Sequence, residues 1–193
     1  MYVLLQSIGF SNSNNIAING LTSLNSQMYH IVFNGCNNVK LQGVKVLASG
    51  NSPNTDGSPQ AMTVSVGPGT NNLWIENVAC GPGHGISIGS LGKDLIEAGV
   101  QNVTVKNCDI YRHSKWAKNK VMGETKQWFC QKNFLFQHAV MKNVQNPIII
   151  DQNYCPDNEG CPGKDIHGTS ATKAAVNFDC SSKNPCSRIR LEV

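Results

Sequence analysis

Apolar side chains in this chain come in short alternating runs bordered by asparagine and glycine. The clearest is Asn14-Asn15-Ile16-Ala17-Ile18-Asn19-Gly20-Leu21. It is echoed by Asn37-Asn38-Val39-Lys40-Leu41-Gln42-Gly43-Val44, by Asn71-Asn72-Leu73-Trp74-Ile75-Glu76-Asn77-Val78, and by Gln101-Asn102-Val103-Thr104-Val105-Lys106-Asn107-Cys108. Lys132-Asn133-Phe134-Leu135-Phe136-Gln137-His138-Ala139-Val140 is a fifth copy. The shared asparagine falls at 15, 38, 72, 102 and 133, with spacings of 23, 34, 30 and 31 residues. Within each copy the apolar positions alternate with period two, which places a strand there.

Short strands returning at this period, with asparagine and glycine turns between them, predict an all-β chain folded as a right-handed parallel β-helix of reduced length. Each coil supplies a few strands, and apolar side chains stack along the axis. Asparagine side chains can satisfy backbone groups at the turns. A β-sandwich is the alternative, but its strands return about every 8 to 12 residues, more closely than these. Residues 12–107 are expected to form stacked parallel strands. Ile16, Ile18, Val39, Leu41, Leu73, Ile75, Val103 and Val105 are expected to contribute alternately to the core and the outer faces. One β-helix domain over residues 1–193 is the expected organisation, and both ends read as short of the caps a solenoid needs. Asp109 to Lys132 departs from the pattern. It is rich in Lys, Trp and Gln and alternates poorly, so it reads as a basic loop, a short amphipathic helix, or an inserted or altered segment.

Composition narrows the class. Only 15% of the 193 residues are charged and 7% are aromatic, which is too apolar and too sparsely charged for disorder. No apolar run is long enough to span a bilayer, so no membrane partner is expected. The net charge of +4 is mild, and Lys and Arg are scattered until residue 112. Nucleic-acid binding therefore has little support, whereas an acidic polysaccharide suits the balance. Eight cysteines stand at 36, 80, 108, 130, 155, 161, 180 and 186. Cys155 with Cys161 and Cys180 with Cys186 are closely spaced and flanked as loop disulfides often are. None has the C-x2-C spacing of a structural zinc site, and no metal or other cofactor is expected. A secreted, disulfide-bearing protein is the inference. Met1-Tyr2-Val3-Leu4-Leu5 lacks the basic region and full apolar stretch of a signal peptide, so a truncated N-terminus is expected.

Two stretches could carry chemistry. In Cys80-Gly81-Pro82-Gly83-His84-Gly85-Ile86-Ser87-Ile88-Gly89-Ser90-Leu91-Gly92, glycines and a proline crowd one histidine before an apolar alternation. A loop tight enough to need glycine feeds a strand there. Backbone without Cβ atoms lets a large ligand approach, and His84 is the loop's titratable group. On residue types alone this is a glycine-rich strand corner with a surface histidine. Ser52-Pro53-Asn54-Thr55-Asp56-Gly57, taken alone, is a good turn.

Together these stretches closely resemble the Gly-His-Gly and Asn-Thr-Asp motifs of the polygalacturonases, glycoside hydrolase family 28, and stand in that family's order. The resemblance covers nearly the whole chain and is particularly close to plant enzymes over residues 10–57, 67–107 and 134–162. It implies a secreted, cell-wall enzyme, expected as a monomer, that hydrolyses α-1,4 bonds of polygalacturonic acid, the backbone of pectin, with inversion. It implies catalytic roles for Asp56 and His84 and substrate contacts at Asn54 and Gly83. It also implies bridges Cys155–Cys161 and Cys180–Cys186.

Inversion needs one protonated carboxylic acid for the leaving oxygen and one carboxylate to activate water on the opposite face, roughly 6.5–9.5 Å apart. The family supplies the aspartate of Asn-Thr-Asp and two adjacent aspartates before a cysteine. It adds the Gly-His-Gly histidine and an Arg-Ile-Lys motif that holds the substrate carboxylate. This chain departs from that set. The Asp-Asp-Cys motif would fall at Ala61-Met62-Thr63, and no Asp or Glu occurs between Asp56 and Glu76. The joint between Gly57 and Ala61 is short by about one coil. No Arg-Ile-Lys stands between Asn107 and Phe134. Glu76, Asp94 and Glu97 read as solvated surface residues. Weak or absent hydrolysis is therefore the expectation, and the alternative is an inactive pectin-binding protein or a non-functional splice or pseudogene product.

Overall fold

The computed structural model describes residues 6–26, 29–47, 62–82, 85–91, 97–111, 115–121, 131–142, 146–151 and 176–179. Among them every paired strand runs parallel to its neighbours, as a β-helix requires and a sandwich of antiparallel hairpins does not. The first coil contains β1 (Gln6–Ser11), β2 (Asn14–Asn19) and β3 (Thr22–Leu24). The second contains β4 (Tyr29–Asn34), β5 (Asn37–Gln42) and β6 (Lys45–Leu47). Next come β7 (Met62–Val66), β8 (Asn71–Glu76) and β9 (Ala79–Gly81). Then β10 (Ile86–Leu91) leads to the long β11 (Val100–Tyr111). They are followed by β12 (Lys115–Val121), β13 (Gln131–Lys142), β14 (Asn146–Asp151) and β15 (Val176–Asp179).

One sheet stacks β1-β4-β7-β10-β12-β14-β15. The other begins β2-β5-β8-β11 and returns through β9, β6 and β3, because the two halves of β11 pair with β8 and then β9. The solenoid therefore has three strand-bearing flanks. Their inward columns are Ile31-Val64-Ile86 with Phe33-Val66-Ile88, Val39-Leu73-Val103 with Leu41-Ile75-Val105, and Val46-Cys80-Ile110. All these side chains are buried in one core. Each such aliphatic burial contributes about 1.5–3 kcal/mol.

The register corrects one expectation. Ile16, Ile18, Val39, Leu41, Leu73, Ile75, Val103 and Val105 do not alternate between faces. The last six are fully buried, and Ile16 and Ile18 pack partly buried against them. The outward positions between them belong to Ala17, Lys40, Trp74 and Thr104. The reason is the pleat: residues two apart share a face, and the members of each pair are two apart.

The turns explain the asparagines. Asn15, Asn38, Asn72, Asn102 and Asn133 have φ of 57°, 58°, 54°, 55° and 56°, the left-handed region that asparagine enters more readily than other residues with a Cβ. Their amides form a ladder along the axis. Asn38 Nδ2 donates to Asn15 Oδ1 at 2.6 Å, Asn102 Nδ2 to Asn72 Oδ1 at 3.0 Å, and Asn133 Nδ2 to Asn102 Oδ1 at 2.9 Å. Asn72 Nδ2 donates instead to Asn37 Oδ1 at 3.2 Å. Further along each copy a second left-handed column runs through Gly20, Gly43, Asn77, Asn107 and His138. It bends the chain between the two flanks of the second sheet.

The segment from Asp109 to Lys132 is also corrected in part. It continues β11 to Tyr111 and then forms β12, which pairs with β10 and β14. Neither a loop nor a helix occupies Lys115–Val121. Strand neighbours on both sides supply backbone partners that outweigh the weak local alternation.

Candidate active site

The four residues singled out for the site, Asn54, Asp56, Gly83 and His84, lie outside the described residues, as do the paired cysteines Cys155, Cys161, Cys180 and Cys186. The backbone that leads into and out of the motifs is described. β9 ends at Gly81, and the chain re-emerges at Gly85 to enter β10. Gly85 has φ of 67°, so a side chain there would strain the exit of the histidine loop. Its carbonyl accepts a hydrogen bond from Val64 N at 3.1 Å, which ties that exit to β7.

β7 and β10 are direct neighbours, with Val64 opposite Ile86, Ser65 opposite Ser87 and Val66 opposite Ile88. Parallel strands lie about 4.8 Å apart. The Asn-Thr-Asp stretch precedes β7, and the Gly-His-Gly stretch precedes β10. The described strands that follow the two stretches in sequence therefore stand side by side in one sheet. On the far side β10 is irregular: Ile88 pairs with Asn119 and Leu91 with Val121, so β10 carries one residue more than β12. Gly89, with φ of 109°, lies in this bulge. Such bulges are common beside active sites, where they re-aim the strand.

Met62 and Thr63 are the first residues of β7, with Met62 opposite Tyr29 and Val64 opposite Ile86. Met62 and Thr63, two of the three positions where an Asp-Asp-Cys motif is expected, thus begin the strand that pairs with β10; Ala61 lies outside the described residues. Among the described residues, β7 and β10 carry no Asp or Glu. Glu76 cannot stand in for one there, because it lies on the other sheet. Its Oε2 accepts from Trp74 Nε1 at 3.1 Å and Gln42 Nε2 at 2.9 Å. These bonds, led by the Trp74 contact, hold its carboxyl below the usual range and keep it a charged surface group.

Two features carried no signal in the sequence. Ser23 Oγ and His30 Nδ1 are hydrogen-bonded at 2.8 Å, with both residues buried. His30 Nε2 has no hydrogen-bond partner, and burial lowers the pKa of His30 from 6.5 to about 4. The second concerns thiols. Cys36 and Cys108 are buried and free, Cys36 donating to the carbonyls of Phe10 and Asn34 at 3.4 Å. Burial raises Cys108 to about 11. Among the described residues no group of three His, Cys, Asp or Glu side chains could hold a metal ion.

Comparison with known proteins gives the family. Residues 4–63 and 58–192 match the sequence model of Glycosyl hydrolases family 28 in two pieces that meet at the short joint after Gly57. The chain is 56% identical to a polygalacturonase of Prunus persica, over 96% of this chain and 54% of that protein. It is 39% identical to polygalacturonase-2 of Solanum lycopersicum, over 95% and 46%, and 33% identical to a polygalacturonase of Medicago sativa, over 97% and 51%. The chain belongs to glycosyl hydrolase family 28, and it spans about half the length of the curated relatives it matches.

Proposed function

We propose that this chain acts on the α-1,4-linked galacturonan of pectin as a plant-type polygalacturonase. The observation that carries the reading is the 56% identity to the Prunus persica polygalacturonase across 96% of the chain. In this reading Asp56 activates the water that attacks the anomeric carbon. His84 hydrogen-bonds at the reacting centre and sets the protonation of a neighbouring carboxylate. Asn54 and Gly83 contact the substrate. The register of β7 beside β10 supports one groove shared by the two motifs. The same reading takes the protein to be secreted to the cell wall and monomeric, with bridges Cys155–Cys161 and Cys180–Cys186, which non-reducing mass mapping would detect.

Cleavage also requires a proton for the departing glycosidic oxygen, and one aspartate cannot both orient water and supply it. Loss of a general acid costs on the order of 10²–10⁴ in rate. The absence of any Asp or Glu between Asp56 and Glu76 is the observation behind a second reading, pectin binding with little turnover. The experiment is to incubate the purified chain with polygalacturonate at mildly acidic pH, measuring reducing ends beside polymer binding. Turnover abolished by Asp56→Asn supports the enzyme. Binding without turnover supports the second reading, and neither binding nor turnover overturns both.

A further inference from the structure

The outer face of the second sheet carries an open trough of about 550 Å³ whose lining includes Asn38, Lys40, Asn72, Trp74, Glu76 and Thr104. None of these residues belongs to the sheet that the His84 loop enters. We propose that this trough is a second binding surface for pectin, holding a segment of acidic galacturonan against the outside of the solenoid. The inference rests on the reading that the protein acts on galacturonan.

Three observations point to such a polymer. Trp74 is 39% exposed on a strand whose register neighbours on this face are Lys40 and Thr104. Its indole N–H is held by Glu76 Oε2, which Gln42 also engages, so the ring is fixed in one orientation. A fixed aromatic face suits the apolar C–H face of a pyranose ring, because little side-chain freedom remains to be lost on binding.

Charge is the second. Lys40 and Lys106 both act on Glu76, and Lys106 lies directly opposite it in register. Two ammonium groups against one carboxylate leave this patch net positive, the sign that an acidic sugar chain requires. The third is repetition. Asn38, Asn72 and Asn102 line the trough along the helix axis at successive coils. Asparagine carries two amide N–H donors. The ladder bonds of Asn38 and Asn72 each use one, and the second can meet hydroxyl or carboxylate oxygens of a repeating ligand.

The test is calorimetric titration of the purified chain with an oligogalacturonate, in a parent carrying Asp56→Asn and His84→Ala to silence the motif groove. The expected result is that this parent still binds. Adding Trp74→Ala should weaken binding by about tenfold or more, equivalent to 1.4 kcal/mol. Adding Lys40→Gln with Lys106→Gln instead should weaken it and flatten its salt dependence, since exposed charges are screened by salt. All three positions lie on the outer face, so thermal unfolding should confirm an unchanged fold. Binding that is lost with Asp56→Asn and His84→Ala, or indifferent to Trp74 and the lysines, overturns the trough and leaves the proposed function standing. Absence of oligogalacturonate binding in every form, the unmodified chain included, overturns the proposed function itself. Equal binding of a neutral galactan oligomer overturns the acidic assignment.

Discussion

His30 makes the folded chain sensitive to acid. Its ring is wholly buried, its Nδ1 is engaged by Ser23 at 2.8 Å, and its Nε2 has no partner. In either neutral tautomer one polar atom is therefore buried unsatisfied, and protonation would add a buried charge with an N–H that has no acceptor. Burial accordingly lowers the pKa from 6.5 to about 4. The folded state resists a proton that the unfolded chain accepts, so stability is complete above pH 6.5 and falls as the pH drops toward 4. At 1.36 kcal/mol per pH unit the gap is worth about 3 kcal/mol, a large share of the 5–15 kcal/mol typical of a domain. Urea unfolding at pH 7, 6, 5 and 4 would measure it, beside His30→Gln, whose amide can still meet Ser23 but does not titrate. Carboxylates add the same background to both proteins, so the difference between the two pH profiles isolates His30. Stability that falls equally in both between pH 6.5 and 4 would refute the reasoning.

Other outcomes follow from the same structure. Asn102→Ala should destabilise by about 2–5 kcal/mol, from left-handed strain of about 1–2 and two lost ladder bonds of about 0.5–1.5 kcal/mol each, the lower end being expected because the ladder is exposed. Asn102→Gly should recover the strain but not the bonds, as chemical denaturation would measure. Cys108, raised to about 11 by burial, should resist alkylation at pH 8 in the folded chain and react once it is unfolded, as peptide mass mapping would detect. Placing aspartates at Ala61 and Met62 should not raise reducing-end release from polygalacturonate, because the short joint after Gly57 remains. Recovery to the rate of a full-length relative would show that two carboxylates at the mouth of β7 suffice.

The solenoid was legible because its signal is redundant: one alternation appears five times, each beside an asparagine that tolerates a left-handed backbone. The second left-handed column was harder to see. Gly20, Gly43, Asn77, Asn107 and His138 share a backbone conformation but not a residue type, and His138 bears no turn signature. β12 was illegible for a different reason. Nothing in Lys115–Val121 favours a strand strongly, and its pairing is imposed by β10 and β14. The Ser23–His30 contact joins residues on different sheets, and no local periodicity encodes that. At the candidate site, composition gave only a turn and a glycine-rich corner. Their meaning came from family resemblance, and the register added that Met62 and Thr63 begin the strand beside the exit of the histidine loop.

That register separates the requirements of the fold from those of catalysis. In a parallel solenoid each coil contacts only its neighbours, so stability is close to a sum of local terms. β7 stacks on β4 with Tyr29 opposite Met62, Ile31 opposite Val64 and Phe33 opposite Val66, and β10 continues the same columns. A family sequence that passes directly from the Asn-Thr-Asp turn to β7 can therefore keep an unbroken core across the short joint. A glycosidase site is not a local sum. It needs an acid and a base on opposite sides of one bond, held at a fixed separation. The stacking of β7 between β4 and β10, by contrast, is met by these strands alone, whatever carboxylates the neighbouring turns carry. Stability and catalysis should accordingly respond to different substitutions. Core and ladder changes would act on unfolding, whereas under the proposed function changes at Asp56 and His84 would act on polymer binding and turnover.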